Sequence, residues 1–137
     1  MCLIVKESPK IAKKDIVAYK VLEYKGGLIA TPFQNMYIKL DRKYVNQALE
    51  KIDFCNNLSE GVYHLFSSFV DAEMFRAYAQ KEYSNDFNCS TFKVVKAIIP
   101  KGTKYYIGES EIGSELDRMF QHESYGAKSV IYKELDA

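Results

Sequence analysis

The sequence predicts an α+β fold, a mostly antiparallel sheet of five to seven strands with two or three helices packed on it, and three observations lead there. Residues 92–108 join a dense β-type run to a turn: Phe92, Val94, Val95, Ile98 and Ile99 fit a pleated surface, and Pro100-Lys101-Gly102-Thr103 ends the ladder. Residues 69–83 carry Phe69, Ala72, Phe75, Ala79 and Tyr83 at helical spacing. Residues 15–22 alternate as a strand and meet Leu28-Ile29-Ala30-Thr31 across Gly26-Gly27, which permit the positive φ of a hairpin turn.

Taken in order, the first fourteen residues are Lys-rich with Pro9, and at most a frayed helical turn is expected around Ile11 and Ala12. After the 15–31 hairpin, Pro32 interrupts the second strand, which is expected to resume through residues 36–40 on an edge or past a bulge. Between 41 and 52, Tyr44, Val45, Ala48, Leu49 and Ile52 recur at helical spacing behind Asp41 as N-cap, so a short amphipathic helix is expected. Gly61-Val62-Tyr63-His64-Leu65-Phe66 reads as a strand entering the 69–83 helix, with Ser68 and Asp71 placed to cap it. Residues 92–99 have apolar side chains on both faces, which marks a central strand covered on two sides. Residues 103–107 continue as a strand that Gly108 closes. The acidic segment 109–123 is loop with a brief helix at Leu116, Met119 and Phe120, and 127–135 alternates as a last strand.

A chain of 137 residues is one domain by size, and it can bury a core without disulfides. A net charge of +1 gives no bulk attraction to nucleic acid or to a membrane. Cys2, Cys55 and Cys89 are an odd number without paired spacing, the pattern of reduced thiols in the cytoplasm. Leu3-Ile4-Val5 is too short for a signal peptide or a membrane span.

Few residues invite chemistry. His64 precedes a helix N-terminus, where backbone donors and a positive dipole can meet an anion, against the simpler reading of a histidine hydrogen-bonded at a sheet margin. His122, beside Glu123, falls in exposed loop. Glu109 and Glu111 are two apart at a strand end, where paired carboxylates can divide acid and base roles, although a solvated acidic loop has the same composition. No metal-ligand spacing is present. The eleven Tyr and eight Phe sit at core positions without a basic stripe, which favours packing over base stacking.

Two resemblances are carried by specific segments. Ala18-Tyr19-Lys20-Val21-Leu22, the 61–66 strand with Asp71-Ala72, Ile98-Ile99-Pro100-Lys101-Gly102-Thr103-Lys104-Tyr105-Tyr106 and Tyr125-Gly126-Ala127-Lys128-Ser129-Val130-Ile131 resemble small uncharacterised proteins of gut Bacteroides-type bacteria and their phages. That resemblance covers most of the chain and implies a single cytoplasmic domain. Gly61, Tyr63, Ala72, Tyr78 and Ala79, with Pro100, Gly102 and the Glu109-Ser110-Glu111 triplet, are similar to motifs of the ADP-ribosyltransferase fold. The chain departs from that family in having Lys20 where the first strand presents Arg or His, and Ser67-Ser68-Phe69 for Ser-Thr-Ser.

The expectation is therefore a cytoplasmic protein that acts by binding, without a cofactor and as a homodimer through an exposed strand edge. The alternative that the second resemblance implies is NAD-dependent ADP-ribosyl transfer. It requires Lys20, Tyr63, His64 and Glu111 to converge in one cleft.

Overall fold

The computed structural model describes residues 2–32, 36–83, 90–111 and 122–135, without the side chains of Cys2, Tyr83, Ser110, Glu111 and His122. Twelve strands and one helix follow in the order β1 (Cys2–Val5), β2 (Lys10–Ile11), β3 (Ile16–Lys25), β4 (Leu28–Ala30), β5 (Lys43–Val45), β6 (Lys51–Ile52), β7 (Asn57–Glu60), β8 (Tyr63–Phe66), α1 (Phe69–Tyr83), β9 (Thr91–Ile99), β10 (Lys104–Glu111), β11 (His122–Ala127) and β12 (Ser129–Lys133). All strand pairs are antiparallel, in the order β5-β12-β9-β3-β8-β11-β10-β1-β7-β6, with β2 beside β10 and β4 beside β3.

This overturns the expected five- to seven-stranded sheet with two or three helices. The helix expected over 41–52 is absent: Lys43–Val45 pairs with β12, Asn46 N–H donates to the Lys128 carbonyl at 2.8 Å, and Lys51–Ile52 pairs with β7. Asp41, the supposed N-cap, adopts φ 63° and donates its own N–H to the Tyr132 carbonyl at 2.8 Å. Pairing with distant strands satisfies the backbone here, so the helical spacing has no face to bury, and Val45, Leu49 and Ile52 remain exposed. The Lys-rich start is likewise strand, as β1 and β2. The third helix expected at 116–120 lies outside the described residues.

Gly108 does not close its strand. β10 runs on to Glu111 because β1 pairs along it, Val5 to Cys2 opposite Gly108 to Glu111, and the approach is so close that a β-carbon at Gly108 would collide with the Ile4 carbonyl. The turn before it forms as read: Thr103 N–H donates to the Pro100 carbonyl at 3.1 Å, and Gly102 takes φ 87°. Helix α1 begins at its cap, where Ser68 Oγ accepts from Asp71 N–H at 3.2 Å.

β11 and β12 form one run broken only at Lys128. Its first half pairs with β8 and its second with β9, while β3 pairs with both β8 and β9. A run that pairs with both ends of one path forces the sheet to curl back on itself, a barrel-like closure that removes two edges. Inside lies the cluster of Ala18, Leu22, Leu65, Val95, Ala97, Ile99, Ala127, Val130 and Tyr132. Outside, α1 covers Val21, Phe66, Phe92 and Val94 with Ala72, Phe75 and Ala79. β1 and β7 cover Val62 and Tyr106 with Leu3 and Leu58. Strand β9 therefore buries both faces, at about 1.5–3 kcal/mol for each large apolar side chain removed from water.

Candidate functional site

Alternation along β3 puts Lys20 on the same face as Ala18 and Leu22, the inner one. A lysine at that position needs an acceptor, and the neighbouring strand supplies it. β3 and β8 are in register only at Tyr19 and Phe66, so beyond that point they splay and leave the His64 carbonyl within reach of a side-chain donor. Lys20 Nζ donates to it at 2.9 Å.

The splay opens into a cavity of about 390 Å³, walled by Lys20, Tyr63, His64 and Tyr132 on the sheet side. Thr31, Pro32 and Met36, residues 46–48 and the Gly61 turn form the facing walls. This size and this location at a barrel mouth are those of small-molecule sites. The facing wall is held by charge. Lys128 Nζ donates to the Gly61 carbonyl at 2.6 Å and the Ala48 carbonyl at 2.7 Å, and lies 3.6 Å from Glu50 Oε2. Glu50 in turn meets Lys104 Nζ at 3.0 Å and accepts from the Tyr106 hydroxyl at 3.3 Å. The hydrogen bond from Lys104, with the charge of Lys128, holds the Glu50 carboxyl down at about 2. Gly61, at φ 91°, lies so close under this loop that a β-carbon would sit 2.6 Å from the Leu49 carbonyl.

Loss of hydration lowers the pKa of Lys20 to about 8, although the residue keeps part of its surface open to the cavity. Among the described residues no carboxylate pairs with it. Tyr132 is fully buried, its hydroxyl has no hydrogen-bond partner, and burial pushes the phenol up. Burial, then Tyr44, likewise raises Tyr63. The cavity thus sets Lys20 and the half-buried Tyr63 among the polar Thr31, Asn46, Gln47, Ser59 and Glu60 and the apolar Pro32, Met36 and Val45, so that donors and acceptors both line it.

Three of the four residues singled out from sequence, Lys20, Tyr63 and His64, line this cavity together. His64 does so through its backbone. Tyr63 and Leu65 face the inner cluster, so alternation turns the imidazole outward with Val62 and Phe66. There it is buried with Nδ1 unpartnered, and burial together with the charge of Lys20 depresses its pKa to about 3. The imidazole is therefore neutral and does not serve the cavity as an anion ligand. Glu111 is not brought in: Tyr105 shares a row with Ala127 and Tyr63, and Glu111 lies six residues further along β10, about 20 Å at strand rise. Its side chain, the 112–121 portion of the acidic segment and the side chain of His122 lie outside the described residues.

Tyr132 and Lys128 were not singled out by sequence, though the alternation of Val130 and Tyr132 along the last strand places the tyrosine on one face with a core residue. Among the described residues no group of three His, Cys, Asp or Glu side chains could hold a metal ion, and no helix is long and apolar enough to cross a membrane. No family model, no curated protein and no solved structure matches this chain.

Proposed function

We propose that the protein acts by binding, and that it holds a small organic molecule bearing an oxygen acceptor, a carboxylate or a carbonyl, at the mouth of its barrel. The observation that carries this is an interior lysine with one backbone acceptor and, among the described residues, no counter-ion, at the wall of a 390 Å³ cavity. A lysine ammonium carries three donors and the His64 carbonyl takes one, so a ligand oxygen would satisfy a further donor in a setting where an unmet one costs about 1–3 kcal/mol. The apolar side chains of the facing wall suit the remainder of such a ligand.

A thermal-shift panel of short carboxylates, 2-oxo acids and aldehydes tests it, with NAD and common nucleotides alongside to test the transferase resemblance. Stabilisation by at least one acceptor-bearing small molecule, lost in Lys20→Met, is the expected result. An unchanged melting temperature across the panel would refute the reading.

A further inference from the structure

Resting on the binding reading above, we propose that Lys20 is a nucleophile that forms an imine with an aldehyde or ketone held in the barrel-mouth cavity. Three features of the site lead there. Lys20 lines a cavity that opens at the barrel mouth, and the hydrogen bond from its amine to the His64 carbonyl orients it. No carboxylate among its described neighbours holds the proton on nitrogen. Tyr63, on the same wall and half-buried, keeps its proton through the neutral range because loss of hydration raises its pKa, so a proton donor lines the same cavity as Lys20. Loss of hydration also favours the neutral, nucleophilic form of Lys20 at working pH, the usual way in which a buried lysine is activated.

The step balances without an added reagent. The Nζ lone pair forms the C–N bond while the carbonyl π pair moves to oxygen; nitrogen then gives up a proton and the oxygen gains one. The C–O bond of this carbinolamine breaks after a second protonation, oxygen departs as water, and the nitrogen lone pair closes the C=N bond as a protonated imine, which gives that proton back from nitrogen. Amine and carbonyl thus yield imine and water, with no oxidant or reductant consumed.

The test incubates the full chain with glyoxylate and cyanoborohydride at neutral pH, with peptide mapping of all lysines over time. A melting curve with glyoxylate alone runs in parallel. At a pKa near 8, Lys20 has about 300 times the free-amine fraction of an ordinary lysine. Restricted access offsets part of this, so modification at Lys20 is expected roughly tenfold or more ahead of the median surface lysine. Tyr63→Phe should slow it severalfold. Stabilisation by glyoxylate with no preference for Lys20 overturns the imine while leaving the binding reading intact. Uniform labelling without stabilisation overturns the imine and counts against binding of this ligand class. The mapping is done on the unaltered protein, so the result does not depend on a variant that folds.

Discussion

Replacing Lys20 by Met isolates the cost of keeping a charge inside the barrel. The folded-state pKa of about 8 lies below the ordinary 10.5, so between those values the unfolded chain binds more protons than the folded one, and stability rises with pH across that window. Each pKa unit corresponds to about 1.4 kcal/mol, which makes the total gain about 3 kcal/mol. Below pH 8 the gain is absent, because the folded protein must carry the buried ammonium; above 10.5 it is complete. Methionine also removes the hydrogen bond to the His64 carbonyl and alters packing, but those effects do not depend on pH. The quantity to measure is therefore the difference in unfolding free energy between wild type and Lys20→Met, from urea titrations at pH 7 and pH 10.5. Every other titrating group cancels in that difference. Wild type should improve relative to the variant by about 3 kcal/mol between the two pH values. Parallel stability curves would refute the placement of the amine in a dehydrated environment, and with it the reasoning about the cavity.

Three further outcomes are expected. Gly61→Ala puts a side chain at φ 91° and against the Leu49 backbone, and should lower stability by more than about 2 kcal/mol in urea unfolding. Glu50→Gln removes a carboxylate whose folded pKa is depressed, so its contribution is present above the ordinary 4.5 and lost as pH falls through about 2; acid unfolding followed by circular dichroism should be less steep in the variant across that window. Ser68→Ala deletes the cap of α1 and should cost about 1 kcal/mol, read as a lower urea midpoint with unchanged slope.

Sequence reasoning succeeded where burial itself generates the pattern. Residues 92–99 are apolar on both faces because β9 has the barrel core on one side and α1 on the other, and residues 69–83 repeat at 3.6 because one side of α1 faces Val21, Phe66 and Val94. It failed where pairing is long-range and elements are short. Nothing local in Lys10–Ile11 announces a partner at Lys104–Tyr105, and Lys43–Val45 is strand only because Ser129–Ile131 lies beside it. The site was half legible. The alternation of 16–22 already places Lys20 with Ala18 and Leu22, but whether that face is interior depends on closure by a run more than a hundred residues away. His64 was noticed for its imidazole, whereas the splay between β3 and β8 makes its carbonyl the useful group.

The continuous run of β11 and β12 ties architecture to the order of assembly. Strands β3, β8 and β9 can meet earlier, but the interior stays open on one side until residues 122–133 arrive to join β8 at one end and β9 at the other. Sequence separations of this size carry a large loop entropy before any contact rewards it, which places refolding in the millisecond-to-second range typical of sheets built from distant partners. The cavity depends on the same closure, since Tyr132 and the anchor Lys128 both belong to the closing run. A ligand of the finished protein would therefore find nothing to recognise in a chain still waiting for its last strand.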